Sequence, residues 1–143
     1  MNNIITDNIK IENMIYEIRG KQVMVDSDLA KLYECKNGTK VINQAVNRNK
    51  ERFPNDFYFQ LTNLEYQYLK SQIVTSSLND NYGGNRKLPY VFTEQGVAML
   101  ATILRTKVAA NISVNIMRAF VSMRKYISTN LLEQKNKLVN FIK

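Results

Sequence analysis

Apolar and polar positions in the first part of the chain predict a hairpin followed directly by a helix. Over residues 14–25 they alternate on either side of Gly20-Lys21, which is typical of two short antiparallel strands. Asp26 and Ser27 come next, and both are good N-cap residues. We therefore expect a β-hairpin that leads without a linker into a short helix.

A second helix is predicted after a tight turn. Asn37-Gly38 ends the first helix, because either residue tolerates the left-handed conformation, and Thr39 can cap the next helix. The second helix runs from about Lys40 to the residue before Pro54, which stops it. Its apolar stripe, at the i, i+3, i+4 spacing of a buried face, consists of Ile42, Ala45, Val46 and Phe53. The pair predicts a helix-turn-helix unit.

The other side of the second helix carries groups that suit the major groove of DNA. Lysine and arginine donate to guanine or phosphate, and asparagine and glutamine amides pair with adenine. We therefore assign base reading to Lys40, Asn43, Gln44, Asn47 and Arg48. Phosphate contacts are assigned to Lys50 and Arg52 on the flanks. The alternative is a merely solvated helix face, but such a face usually mixes acids and bases, and Glu51 is the only acid here.

Asn49 needs a separate interpretation. By helical angle it falls on the apolar stripe, between Ala45 and Phe53. An amide there is costly unless it is hydrogen-bonded. We expect Asn49 to bracket a neighbouring loop and not to contact a base.

The middle of the chain predicts two more strands and two more helices. Residues 56–61 alternate as a strand, and a helix follows over about residues 64–74. Residues 75–85 are polar and contain glycine, which is typical of a loop. Pro89 confines the next strand to a sheet edge or a bulge. Thr93 is expected to cap a helix with deeply buried apolar residues, namely Val97, Ala98, Leu100, Ala101 and Leu104.

From about Ala109 onwards the pattern predicts one long helix. Its apolar stripe comprises Ile112, Ile116, Ala119, Phe120, Met123 and Ile127. Beyond Thr129 it can no longer pack on a compact core, so residues 128–143 are expected to form a dimerisation helix or a linker. The predicted fold class is α+β: a small antiparallel sheet with helices, a helix-turn-helix/winged-helix-like unit and a long C-terminal helix.

Charge narrows the choice of partner. The chain has a formal net charge of +8 over 143 residues, which favours a polyanionic partner or an anionic membrane surface. The alternative is that the charge only keeps the protein in solution. Bases are concentrated in residues 36–52, with five against one acid, and in residues 95–132, with five and no acid. Both stretches are predicted to be helical.

Residue usage argues against several kinds of chemistry. The chain has no histidine and one cysteine, which excludes a catalytic triad, a histidine metal site, a structural zinc site and a disulfide framework. Asp26 and Asp28 are better explained as helix-start residues than as nuclease ligands. No apolar run approaches ~18 residues, and no secretory signal is recognisable. We expect a cytoplasmic binding protein that needs no metal or cofactor and is not an enzyme.

Two further groups of bases lie outside the second helix. Asn85, Arg86 and Lys87 lie at the mouth of a hairpin-like loop, where the wing of a winged helix contacts phosphates. An ordinary loop with exposed bases is an equal alternative. We assign phosphate contacts to Arg86, Lys87 and Arg118, which lies off the stripe of the long helix. The other bases there, such as Arg124, are expected mainly to solvate the helix.

Three blocks of sequence resemble a known family. They are DSDLAKLY at residues 26–33, VNRNKERFPNDF at residues 46–57 and FTEQGVAML at residues 92–100. In this order they resemble the phage ORF-six-N domain, a relative of the KilA-N and Bro-N domains, over residues 10–127. The resemblance implies a DNA-binding domain of phage and prophage regulators, including antirepressors, usually followed by a separate C-terminal module.

We therefore predict a sequence-specific regulator domain that binds double-stranded DNA with its second helix in the major groove. The expected assembly is a homodimer formed through the C-terminal helix. The alternative is a protein–protein interaction module that sequesters a repressor without binding DNA. Salt separates the two alternatives, because a protein that neutralises several phosphates loses DNA affinity steeply as salt rises.

Overall fold

The computed structural model describes residues 10–73 and 87–142, and these form an α+β fold around an antiparallel sheet, as predicted. Its strands are β1 (Ile15–Ile18), β2 (Lys21–Val25), β3 (Tyr58–Gln60) and β4 (Tyr90–Thr93), in the order β1-β2-β4-β3. After helical residues 10–12, the α-helices within the described residues are α1 (Asp26–Leu32), α2 (Thr39–Arg48), α3 (Asn63–Gln72), α4 (Glu94–Leu104) and α5 (Lys107–Ile142). A 3-10 turn covers Lys50–Arg52. Arg86, the predicted loop over residues 75–85 and the last predicted residue of the 64–74 helix lie outside the described residues.

The β1–β2 hairpin turns at Arg19-Gly20, one residue earlier than predicted. Both residues have positive φ angles, 57° and 71°, as a two-residue type I′ turn requires. The guanidinium of Arg19 donates to both carboxylate oxygens of Glu65, at 2.7 and 3.1 Å, and lies 4.1 Å from the centre of the Phe59 ring. These contacts tie the hairpin turn to the first turn of α3.

β4 lies inside the sheet, between β2 and β3, so the prediction that Pro89 confines it to an edge or a bulge is wrong. Pro89 immediately precedes the first paired residue, where its missing N–H costs no ladder hydrogen bond. Its carbonyl accepts from the N–H of Leu61 at 3.0 Å. The chain connection between β3 and β4 contains α3, as predicted, and Lys87 lies shortly before β4; the hairpin-like loop that was predicted before Lys87 lies outside the described residues.

β3 is shorter than the predicted strand, and the residues around it are divided between two faces. Phe59 and Leu61 are buried in the apolar cluster beneath α3. Phe57 packs instead against the cluster on the other side of the sheet, beneath α1, α2, α4 and α5. The sheet thus has an apolar layer on each face, with Val23 and Val91 on the α3 side and Met24 and Phe92 on the opposite side.

Asp26 and Ser27 lie in the first turn of α1 and are not its caps, contrary to the prediction. The N-cap is Val25, and it makes no side-chain cap hydrogen bond. Asp26 is only 2% exposed, and its Oδ2 accepts from the backbone N–H of Tyr90 at 3.3 Å and from Nδ2 of Asn43 at 3.4 Å. The carboxylate of Asp26 therefore links α1, α2 and β4.

The connection between α1 and α2 is longer than the predicted tight turn and spans residues 33–38. Positive φ angles occur at Glu34 (58°) and Gly38 (65°), and not at Asn37. Gly38 is the N-cap of α2, without a side-chain cap hydrogen bond, and Thr39 is already helical. The predicted cap by Thr39 is therefore wrong.

α2 ends at Arg48, before the predicted end of the second helix. At Asn49 the backbone leaves the helix, with φ −134° and ψ 38°. The side-chain amide of Asn49 donates to the carbonyl of Ala45 at 2.8 Å. Asn49 therefore closes the last turn of its own helix, and the prediction that it brackets a neighbouring loop is wrong.

α4 begins in close contact with the chain just before β3. Thr93 caps α4 as predicted, because its Oγ1 accepts from the N–H of Gly96 at 3.3 Å; the same hydroxyl donates to the carbonyl of Asp56 at 2.8 Å. A Cβ atom at Gly96 would overlap the carbonyl oxygen of Phe57. The sequence blocks at residues 46–57 and 92–100 are therefore in direct backbone contact here.

The apolar residues of α4 are buried less completely than predicted. Val97 and Leu100 are fully buried, whereas Ala101 and Leu104 are partly buried and Ala98 is exposed. The prediction of deep burial is wrong for Ala98, Ala101 and Leu104, because they lie on sides of α4 that no other element of residues 10–73 and 87–142 fully covers.

α5 combines a packed first half with an exposed second half. Ala109, Ile116 and Phe120 are at most 1% exposed, and Ser113 shares a buried hydrogen bond of 3.0 Å with the hydroxyl of Tyr33. After residue 129 the apolar side chains are exposed, including Leu131, Leu132, Leu138, Val139, Phe141 and Ile142. No helix among the described residues is long and apolar enough to cross a lipid bilayer.

Candidate nucleic-acid interface

The outward side of α2 presents one continuous polar and basic surface. Four of the predicted base readers are exposed, and their side chains make no hydrogen bond or ion pair with any described residue: Lys40, Gln44, Asn47 and Arg48. Their spacing of i, i+4, i+7 and i+8 places them along one side of the helix. We call these four residues the α2 strip. Its donors and acceptors are available to a ligand.

The strip lies on a firmly anchored helix. Ile42 is 0% exposed and Val46 is 1% exposed, so the opposite side of α2 is buried in the core. Because a helix that is packed on one side cannot rotate freely about its axis, the strip has a fixed orientation relative to the sheet.

Asn43, the fifth predicted base reader, has a different environment. Its side chain is half-buried, and its amide donates to the carboxylate of Asp26 at 3.4 Å. Helical angle alone could not reveal this, because Asp26 belongs to α1. The amide is engaged within the protein, so Asn43 is better described as a residue that positions α2 than as one that reads bases.

Three of the predicted phosphate-binding residues lie near α2. Lys50 and Arg52 are exposed on the 3-10 turn that follows the helix. Lys87 is exposed as well, and it lines the same cavity as Asn47. Arg86 lies outside the described residues. The structure therefore brings cations close to the C-terminal end of the α2 strip and to its side next to Asn47.

Arg118 is separate from this group. It is exposed on α5, and its guanidinium donates to Oδ1 of Asn115 one turn earlier, at 3.4 Å. Arg124, which we expected mainly to solvate α5, instead forms an ion pair with Glu94 in the first turn of α4. That ion pair has a structural role, because it joins the two last α-helices.

A cavity of about 480 Å³ adjoins the α2 strip, between α1, the start of α2 and the paired strands β3 and β4. The rings of Tyr58 and Tyr90 line it and stack on one another, with centroids 5.2 Å apart and planes inclined by 17°. Asp26 and Ser27 also line it. Sequence analysis did not identify this cavity, because the two tyrosines come together only through the register of β3 against β4. We call it the tyrosine cavity.

Burial changes the ionisation of several groups around α1. It raises the pKa of Asp28 to about 6; Lys31 opposes this shift, and Asp26 adds to it. Burial also raises the pKa of Tyr58, and the adjacent Tyr90 has the same effect.

The chemistry of the described groups suits binding of an anionic ligand. The α2 strip supplies fixed amides and cations, and further cations flank it. Burial raises the pKa of the Cys35 thiol, which disfavours the reactive thiolate. Within residues 10–73 and 87–142, no group of three or more histidine, cysteine or acidic side chains could hold a metal ion.

Comparisons with known proteins identify the family. The family model of the ORF6N domain matches residues 13–103, more than half of the chain, and this span runs from before β1 to the end of α4. No curated protein and no solved structure matches significantly. The matched span contains all three sequence blocks, while α5 lies outside it although its first half is part of the core. The chain therefore belongs to the ORF6N domain family.

Proposed function

We propose that this domain binds duplex DNA as part of a phage-type regulator, with the α2 strip in the major groove. The observation that carries the proposal is the strip itself: four polar or basic side chains, none engaged with another described residue, on a helix whose other side is buried. The major groove admits an α-helix and displays a distinct pattern of donors and acceptors for each base pair. Membership of the ORF6N family supports the same function.

In this proposal the neighbouring cations hold the DNA backbone. Lys50 and Arg52 would contact phosphates beyond the C-terminal end of α2, and Lys87 would contact them on the side of the tyrosine cavity. Arg86 and Arg118 remain proposed phosphate contacts, the first at the side of Lys87 and the second on α5. Such contacts orient a helix on the duplex, whereas contacts to base edges supply specificity.

Salt dependence tests the proposal at the level of electrostatics. The five proposed phosphate contacts predict a roughly 500-fold loss of affinity between 50 and 200 mM salt, because each neutralised phosphate releases condensed counterions. Fluorescence anisotropy with a labelled random duplex measures this slope. Absence of binding even at low salt would contradict DNA binding and favour the alternative, a module that sequesters a repressor protein.

Substitutions in the strip test the role of α2. We expect Arg48→Ala to weaken binding to a duplex selected from a random pool by about 1–3 kcal/mol, the value of one good base contact. Lys40→Ala is the second variant, and Lys125→Ala, which removes an equal charge from an exposed site on α5, is the matched control. Unchanged affinity for both strip variants would exclude α2 as the recognition helix.

We also propose that the chain forms a homodimer through the end of α5. Exposed apolar side chains recur there at the alternating spacing of four and three residues that forms a coiled-coil seam, with one polar position at Gln134: Ile127, Leu131, Leu138 and Phe141. A second copy of the chain offers the same seam and would cover these side chains. DNA binding by α2 and dimerisation through α5 do not depend on one another, and each has its own test.

A further inference from the structure

We propose that the tyrosine cavity binds one nucleotide, with the base against Tyr58 and Tyr90 and the phosphate near Lys87. The cavity is separate from the α2 strip except at Asn47, and the proposal does not require the strip to lie in a DNA groove. Its volume of about 480 Å³ is within the range of small-molecule sites, about 300–1,000 Å³.

The aromatic wall of the cavity suits a planar base. Every base offers a π-face, so stacking on tyrosine tolerates differences between bases. Tyr58 is held in place by edge or tilted contacts with Phe53 and Phe92, at centroid distances of 5.7 and 5.5 Å. Tyr90 stacks on Tyr58 and its backbone N–H is fixed by Asp26. The wall is therefore a preformed surface.

A buried hydroxyl on the cavity lining lacks a partner. Ser27 is 8% exposed, and its Oγ is the one buried side-chain oxygen or nitrogen among the described residues without a hydrogen bond. Such an unpaired group is costly. Because the oxygen is closed to solvent, a ligand would reach it and remove that cost only after a small shift of the cavity lining.

Other lining groups select the type of ligand. The carboxylate of Asp26 lines the cavity beside Ser27. Its Oδ2 already accepts from Tyr90 and Asn43, but a carboxylate can accept several hydrogen bonds, so an exocyclic amine such as that of cytosine could be a further donor.

The rim of the cavity suits a phosphate. Lys31 and Lys87 are exposed and line it. The first turn of α2 also lines it, and the N-cap Gly38 makes no side-chain cap hydrogen bond, so backbone N–H groups of that turn are available to an anion. With an acid among the lining groups and cations at the rim, the charges match a nucleotide whose amine points inwards and whose phosphate points outwards.

The nucleotide could come from two sources with the same chemistry. A free mononucleotide would make the cavity an effector site next to the α2 strip. A nucleotide of a bound strand would make it an extension of the nucleic-acid surface, because Asn47 belongs to both.

Isothermal titration calorimetry on the full chain tests the proposal with AMP, CMP, TMP and inorganic phosphate. We expect AMP and CMP to bind at least tenfold more tightly than inorganic phosphate, because phosphate cannot stack. TMP should bind more weakly than CMP, since it has no exocyclic amine for Asp26. A single-stranded oligonucleotide of about six residues, within the usual site size, serves as the strand probe.

Two substitutions localise the site. Tyr90→Leu should weaken nucleotide binding about tenfold, as expected for the loss of a stacking contact. Its control is Tyr68→Leu, at a tyrosine that is 55% exposed on α3. Lys87→Ala should weaken binding as well, with Lys125→Ala as the control; both lysines are exposed, so these variants keep the fold.

Each outcome decides the proposal. If mononucleotides bind and both substitutions weaken that binding, the ligand is a free nucleotide. If only the oligonucleotide binds and both substitutions weaken its binding, the ligand is a nucleotide of a strand. The proposal would be overturned if neither mononucleotides nor the oligonucleotide bind. It would also be overturned if neither substitution changes binding, or if inorganic phosphate binds as tightly as AMP. Arg48→Ala separates the two proposals, because it should weaken duplex binding and leave mononucleotide binding unchanged.

Discussion

α2 and the end of α5, residues 130–142, are both exposed helical segments with lysines, yet they are held in opposite ways. α2 buries Ile42 and Val46 and is linked through Asn43 to α1 and β4. The end of α5 has no buried residue. α2 exposes polar and basic groups on its outer side, whereas the end of α5 exposes large apolar side chains such as Leu131 and Phe141, at 61% and 87%.

The difference agrees with the two partners proposed above, DNA for α2 and a second copy of the chain for the end of α5. Polar side chains on an anchored helix keep their geometry, which recognition of a polar ligand requires. Exposed apolar side chains on an unanchored helix are unfavourable in water, and they are stabilised when another apolar surface covers them. The comparison predicts that small changes in the anchored part affect folding strongly and that large changes at the end of α5 affect it little.

The largest effect is expected for Gly96→Ala. The new Cβ would overlap the carbonyl oxygen of Phe57, and neither backbone can move away without separating α4 from the chain entering β3. We expect a loss of about 3 kcal/mol or more in the free energy of unfolding. Urea denaturation measures it, with Ala98→Ser at an exposed position of α4 as the control. Equal stability of the two variants would show that the anchored part is more adaptable than its close contacts suggest.

A smaller effect is expected from the charge of Asp28. Burial raises its pKa in the folded protein to about 6 from the ordinary value of 3.8. The folded state therefore binds the proton more tightly than the unfolded state, and stability falls as pH rises from about 4 to about 6. Asp28→Asn should stabilise the protein at pH 8 by about 2–3 kcal/mol.

Urea denaturation of Asp28→Asn at several pH values between 4 and 8 checks this expectation. The stabilisation should fall to about 0.5 kcal/mol near pH 4, where the carboxyl group is neutral in the folded state and about half ionised in the unfolded state. Glu17→Gln, on the exposed side of β1, is the matched control. A stabilisation that is independent of pH would show that the charge of Asp28 is not its cause.

The smallest effect on folding is expected when residues 130–143 are deleted. No residue in the described part of this segment is buried. The free energy of unfolding should therefore change by less than about 0.5 kcal/mol when both proteins are compared at a concentration at which they are monomers. Denaturation of the truncated chain measures this change. A loss well above that value would show that the end of α5 packs on the domain.

Assembly gives the same segment a second readout. Leu131→Asp with Leu138→Asp should convert the proposed dimer into a monomer in sedimentation velocity. Asn136→Asp with Asn140→Asp adds the same charge outside the seam and should leave the dimer intact. Monomers for the unaltered chain would contradict the proposed dimer and leave the anchored part unaffected.

Features that depend on local pattern could be predicted from the sequence. The α+β class, the long C-terminal helix, the Thr93 cap and the buried positions Ile42 and Val46 follow from periodicity and capping preference, and the structure confirms them. The exposed strip of α2 also follows from helical angle alone. These properties involve residues at most a few positions apart.

Features that depend on distant residues could not be predicted. Pro89 precedes an inner strand because β4 pairs on both sides, and no local signal gives that order. Asn43 donates a hydrogen bond to Asp26 of another helix, a contact that helical angle could not reveal. The tyrosine cavity requires Tyr58 and Tyr90 on neighbouring strands, although the sequence contains α3 between them.

The buried hydrogen bond between Tyr33 and Ser113 fixes α5 to the domain near one end of this long helix. It joins the end of α1 to the packed half of a helix of 36 residues, roughly 54 Å long at about 1.5 Å per residue. From Ser113 to the tip is roughly 44 Å, so a tilt of about 5° at this joint moves the tip by roughly 4 Å. In the proposed dimer joined at the tips, the tilt of α5 on its domain would therefore set the distance between the two α2 strips.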